Sequence, residues 1–479
     1  MRLAFVVDNP LRDLPGLTLL AMHLCQEEAT CFLVPMYFSG WEIWSLVPDF
    51  ILCHYLRINN QAEISAAIRA GIKVGLLDTE GGVSQAMEAY GTTLAPDEAT
   101  RQALSVVCSW GPLFAAYAAK VSWYSEKQLE ITGQPRFDFY ASPWREAALN
   151  LSPYAADIPS PFVLINSNVF LVNSAFQTVE KDIDMYVKVF GFDRDTVLLW
   201  RDLEQQKLAD MVDLTAGLAR NFPEINFVFR PHPFERVDTY EKLLKPKANL
   251  FIIKRGTVDG WILRARAVIQ HGCSTAVEAG MSGVPSFSPG WIKSATNVET
   301  AEAVSVVCET KEELFSYISK IGQGEYQIPP RVQEDIGRII YDRFYRVDGR
   351  SHERVGQAIL RSLEENGAGV DLDYCRQRYW RLDGSFKSRL KMILKKALGM
   401  TPDQRLYFWR DNPATDPTHT WKKADKYFDV RRVQELVAAI EPLAARNFPG
   451  KWRPVTVASA MNDAVFSYKT LESVAIKLI

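Results

Sequence analysis

Apolar residues in this chain come in short bursts separated by stretches of helical spacing. Leu3–Val7, Ala29–Val34, Phe50–His54, Val74–Leu77 and Ser105–Cys108 are runs of strand length. Runs without polar alternation predict strands buried on both faces, the habit of parallel sheets. Segments such as Ala62–Ala70 lie between them with helical spacing, and strand–helix alternation predicts a doubly wound α/β sheet. A second series opens at Phe162–Ile165 and continues through Ile225–Phe229, Leu250–Ile253, Ala267–Ile269 and Gly283–Phe287. The stretch 170–202 interrupts it as an insertion of helical character, ahead of a helix over about Leu203–Arg220. Residues 141–160 carry three prolines and join the two series. Beyond about Ile328 helical spacing takes over. The expected organisation is an α/β domain over 1–150, a second over 151–330, and a mostly helical extension over 331–479.

Composition narrows the class. A chain of 479 residues is too long for one hydrophobic core. Its formal charge of −2 argues against nucleic acid as a partner. The seven cysteines form no CxxC pair and no zinc spacing, which reads as buried thiols in a reducing compartment. The first apolar run stops at Asp8, so it reads as a first strand rather than a signal peptide. These features predict a cytoplasmic protein. One segment predicts contact with a membrane surface: over 386–398, Phe386, Leu390, Ile393, Leu394, Ala397 and Leu398 keep helical spacing among lysines and arginines. Such a helix suits an anionic bilayer, peripherally at the inner membrane. It suits a solvated face packed on a domain as well.

Two motifs follow strands of the second series. Arg230-Pro231-His232-Pro233 offers a guanidinium and an imidazole. Gln270-His271-Gly272-Cys273-Ser274-Thr275 offers hydroxyls at a helix start, followed by Glu278. Ligands of open α/β sheets bind outside the carboxyl ends of the strands, so both motifs fall on one rim. Helix starts favour anions, and this set suits the phosphate of a nucleotide-activated donor. Asn166 and Asn168 follow Phe162–Ile165 on the same rim. His271 and Cys273 read as packing near it.

With the motifs Val7-Asp8-Asn9-Pro10, Asp78-Thr79-Glu80-Gly81-Gly82, Thr132-Gly133-Gln134-Pro135-Arg136-Phe137-Asp138, Arg-Pro-His-Pro and Ser-Thr-Ala-Val-Glu-Ala in view, the chain resembles a GT-B glycosyltransferase. More closely it is similar to bacterial surface-carbohydrate proteins related to the β-Kdo transferases of capsule and O-antigen assembly. The resemblance covers about residues 1–330. It implies two Rossmann-like domains facing a cleft, a nucleotide-sugar donor (most simply CMP-linked Kdo or a nonulosonic acid) and a glycan or glycolipid acceptor. No metal and no cofactor beyond the donor substrate are implied. The donor-binding set is then Arg230, His232, Gly272, Ser274, Thr275, Glu278, Asn166 and Asn168. His232 would contact the nucleotide, Ser274 and Thr275 the phosphate oxygens, and Glu278 the ribose. Arg230 fits a bidentate phosphate contact or a structural pairing.

Glycosyl transfer needs a base for the acceptor hydroxyl or, with retention, a carboxylate nucleophile. Glu80 is the catalytic candidate, with Asp78 orienting it or binding acceptor. Asp8 and Arg12 are acceptor-side candidates, although pairing with each other is the simpler reading of both. Where retaining β-Kdo relatives carry a donor-side aspartate, this chain has Asn166-Ser167-Asn168, so inverting and retaining outcomes both stay open. Asp182 and Asp184, and Asp371 and Asp373, have DxD spacing but follow no strand. Three alternatives stand beside Kdo transfer: a UDP-sugar transferase or epimerase-like enzyme, a CDP-alditol phosphotransferase, and an inactive GT-B scaffold.

Overall fold

The computed structural model describes residues 1–81, 87–188, 191–295, 298–364, 369–382, 428–445, 447–460 and 473–478. It divides into two compact units. Unit 1 comprises Met1–Ala147 with Asp342–Ile479, and unit 2 comprises Ala148–Tyr341.

Unit 1 begins with six strands: β1 (Arg2–Val7), β2 (Thr30–Pro35), β3 (Phe50–Cys53), β4 (Lys73–Leu76), β5 (Val106–Ser109) and β6 (Leu129–Ile131). All pair in parallel. The helices Leu14–Leu24, Gln61–Arg69 and Pro112–Lys120 are among the elements joining them. Ala4, Val6, Phe32, Val34, Ile51, Val74 and Val107 belong to one apolar cluster against the sheet.

Unit 2 holds β7 (Phe162–Asn166), β8 (Asn226–Arg230), β9 (Leu250–Ile252), β10 (Ala267–Ile269), β11 (Ser286–Pro289) and β12 (Val306–Cys308), again all parallel. Phe227 and Phe229 enter one apolar cluster while Val228 between them enters another. Alternation along a strand sends neighbours to opposite faces, so both faces of this sheet are covered. The helix read as starting near Leu203 starts at Arg194, where the Asp193 carboxylate accepts from Thr196 N–H at 2.9 Å.

The chain then returns to unit 1. The described part of 331–479 is mostly helical, with Pro330–Phe344, Ser351–Glu364, Leu372–Leu382 and Val430–Ala444. Two strands join them that helical spacing did not reveal, β13 (Trp452–Thr456) and β14 (Val474–Leu478). β14 pairs antiparallel with both β13 and β2, extending the unit 1 sheet to the order β13-β14-β2-β1-β3-β4-β5-β6. Both units are therefore Rossmann-like α/β layers, the pair that the GT-B class calls for. The segment 386–398 lies outside the described residues. Among those described, no helix is long and apolar enough to cross a membrane.

Candidate functional site

In unit 2 the strand order is β12-β11-β10-β7-β8-β9. The chain runs from β7 to β8 and β9 on one side, then crosses to β10 on the other. The order therefore reverses between β7 and β10, where open α/β sheets leave a crevice for ligands. Two side-chain amides span that point. Asn166 Nδ2 donates to Thr275 Oγ1 at 3.0 Å, and Asn168 Nδ2 to the Gly272 carbonyl at 3.0 Å. The Asn166 Oδ1 is buried with no hydrogen-bond partner among the described residues, an acceptor suited to a ligand donor. Gly272 takes a φ of +65°, a left-handed turn that lets its carbonyl meet Asn168. Ser274 is exposed, and its hydroxyl makes no cap hydrogen bond. The helix beyond it, Thr275–Met281, has only seven residues. Any anion here would rest on side-chain donors more than on a helix dipole.

The β8 rim differs from its expected role in one respect. Arg230 is buried, and its terminal nitrogens donate to the carbonyls of Arg255 at 3.1 Å and Gly256 at 2.5 Å. Gly256 is held at φ +77°, and a Cβ there would lie 1.4 Å from the Tyr154 hydroxyl, so only glycine fits this turn. The guanidinium is thus anchored to backbone rather than presented as a bidentate fork. Burial lowers it to about 10, which still leaves it charged at neutral pH. Glu278, half-buried in the helix Thr275–Met281, acts on it through space.

His232 is poised as a neutral donor. Phe234 N–H donates to its Nδ1 at 3.2 Å, so the ring proton belongs on Nε2. Burial, reinforced by Lys254 and Arg230, pushes the imidazole down to about 4. Phe170 and Phe234 flank the ring, with centroids 5.8 and 5.3 Å away. A neutral Nε2–H in a positive field suits a phosphate oxygen.

The sequence did not single out two further buried groups. Lys207, on the helix Arg194–Asn221, donates to the Asn168 carbonyl at 3.0 Å and to Ser294 Oγ at 3.1 Å, with Glu204 at 3.6 Å. Burial lowers the Lys207 pKa despite that carboxylate. Glu235 is fully buried beneath the β7 and β8 loops. His271 and Cys273 are buried nearby; burial, with Lys207 adding to it, pushes His271 down to about 4, while burial raises the Cys273 thiol against the opposing pull of Lys207.

In unit 1 the order reverses between β1 and β3. Beyond β1, Arg12 bridges Asp8 at 2.8 Å and Asp13 at 2.9 Å, and Arg136 stands 3.8 Å from Asp13 with its guanidinium over Trp110. Asp8 and Arg12 are therefore paired. Beyond β4, Asp78 is buried and accepts from Glu80 N–H and from the Tyr90 hydroxyl, each at 2.8 Å. Burial raises its pKa. Asp78 thus shapes the turn that carries Glu80. The Glu80 side chain is 52% exposed, and Arg57 Nη2 reaches it at 3.0 Å. Arg57 was missed because nothing in its own stretch marks it. Of the DxD aspartates, Asp184 pairs with Lys188 and Asp373 with Arg376.

No family model matches the chain, and no curated protein does. Solved structures similar to it include UDP-GlcNAc 2-epimerases from Methanocaldococcus jannaschii (12% identity, 75% of this chain and 100% of that one, TM-score 0.49) and from Neisseria meningitidis bound to UDP-GlcNAc (13%, 75% and 100%, 0.47). The wall teichoic acid polymerase TagF is also similar, at 11% identity over 76% of this chain and 89% of that one, with a TM-score of 0.47.

Proposed function

We propose that this chain is an enzyme of nucleotide-activated sugars that grips the nucleotide phosphate at the unit 2 rim. The observation that carries the reading is His232: a half-buried neutral imidazole, its Nδ1 taken by Phe234 N–H, leaves Nε2–H as its donor in the field of two cations, Arg230 and Lys254. Ser274 adds a hydroxyl, whereas Thr275 Oγ1 accepts from Asn166 and donates to Cys273 Sγ at 3.2 Å; Asn166 Oδ1 is an acceptor for the nucleoside. On unit 1, Glu80, held by Arg57 in a turn that Asp78 fixes, is the candidate base.

Within that class we favour a uridine diphosphate sugar over CMP-linked Kdo. A retaining keto-acid transfer needs a donor-side carboxylate nucleophile. Asn166, Ser167 and Asn168, at the end of β7 and just after it, carry no carboxylate, and the carboxylate beneath them, Glu235, is closed off by three donors. Proton-transfer chemistry on a UDP-sugar asks for no such group. The test is incubation with UDP-sugars and with CMP-Kdo, following nucleotide release and sugar isomerisation by NMR. Turnover of a UDP-sugar, lost in Glu80→Gln, is the expected result. Turnover of CMP-Kdo alone would overturn the choice of nucleotide, and no turnover of either would favour the scaffold.

A further inference from the structure

Glu235 has no part in the reading above, yet three rim loops converge on it. Its carboxylate accepts from Val169 N–H at 2.6 Å, from the Tyr240 hydroxyl at 2.6 Å, and from the Ser167 hydroxyl. Its own N–H donates to the His232 carbonyl at 2.8 Å, and its carbonyl accepts from Lys254 Nζ at 2.6 Å. The loops after β7, β8 and β9 are thereby tied to one residue. Within the turn that Glu235 closes, Phe234 N–H meets His232 Nδ1.

A buried carboxylate is costly unless donors satisfy it, and well-packed apolar residues often replace such networks without loss of stability. What an apolar group cannot do is draw donors from two separate segments, the loop after β7 and the helix that carries Tyr240, to one point. The Ser167 and Tyr240 oxygens also lie only 3.2 Å apart, since both hydroxyls meet at the same carboxylate oxygen.

We propose that Glu235 is a positioning residue for His232: with Ser167 and Tyr240 it fixes the 232–235 turn, and so sets which imidazole nitrogen carries the proton. This rests on the reading of His232 as the phosphate donor. The tautomer can nevertheless be read without any nucleotide.

The experiment is side-chain ¹⁵N NMR of histidine in the full chain, with UDP affinity measured alongside, for Glu235→Gln, Ser167→Ala and Tyr240→Phe. The latter two variants each remove one donor and keep the test open where Glu235→Gln fails to fold. The native protein is expected to show His232 as a single Nε2–H tautomer. The variants are expected to move it to a mixture and to weaken UDP roughly tenfold. An unchanged tautomer in variants that merely melt earlier would make Glu235 structural and overturn the proposal. A mixed tautomer together with no effect of His232→Ala on UDP would uphold the positioning and defeat the phosphate reading instead.

Discussion

The prolines on either side of His232 fix its backbone, and its Nδ1 is claimed by Phe234 N–H. The consequence is a pH dependence of binding. An anion beside Nε2 favours the imidazolium, so the His232 pKa rises from about 4 in the complex and binding takes up a proton between the two values. UDP affinity, taken relative to His232→Asn to cancel the ligand's own titration, should increase as pH falls from 7 to 5. A ratio that stays flat would place the phosphate elsewhere. Gly256→Ala probes the neighbour. Its φ of +77° and the Tyr154 hydroxyl both oppose a Cβ, so a loss of about 1–3 kcal/mol is expected in urea denaturation. His232 was legible in the sequence because proline leaves so few uses for a histidine between two of them. Glu235, Lys207 and Arg57 were not legible, since an acid or base looks solvent-facing until the loops that bury or pair it are in place.

At the scale of elements, the uninterrupted apolar runs gave away the central strands, because a strand buried on both faces leaves a local mark. β13 and β14 leave none. Trp452-Arg453-Pro454 reads as a loop, and β14 becomes a strand by pairing Ile476 with Cys31 near the other end of the sequence. The strand is held further where Ser473 N–H donates to the buried Glu42 at 3.0 Å. Removing residues 473–479 would uncover the edge of β2, a template for pairing between molecules. The expected outcome is a lower melting temperature with concentration-dependent aggregation by light scattering. A truncated chain that melts like the native one would show that β2 does not need the cover.

The whole molecule should be acid-sensitive. His23, His232 and His271 are each pushed down to about 4, with burial the largest cause, against roughly 6.5 in an unfolded chain. Between those values the unfolded chain binds protons that the folded chain refuses, so stability falls as pH drops from about 6.5 toward 4. The buried carboxyls of Asp78 and Glu235, raised by burial, act in the opposite sense, their contribution being lost as pH rises through their folded values. The histidine share is isolated by His271→Asn, which should reduce the drop in urea midpoint between pH 7 and pH 5. An unaltered drop would mean that His271 takes up its proton without unfolding.

The central claim is that unit 2 holds a nucleotide phosphate on His232, and calorimetric titration of UDP and CMP into the native protein and His232→Ala tests it most directly. The account predicts that UDP binds more tightly than CMP and that the variant loses about 10- to 100-fold in UDP affinity, the worth of a hydrogen bond to a charged group. UDP binding of equal strength in both proteins would contradict it.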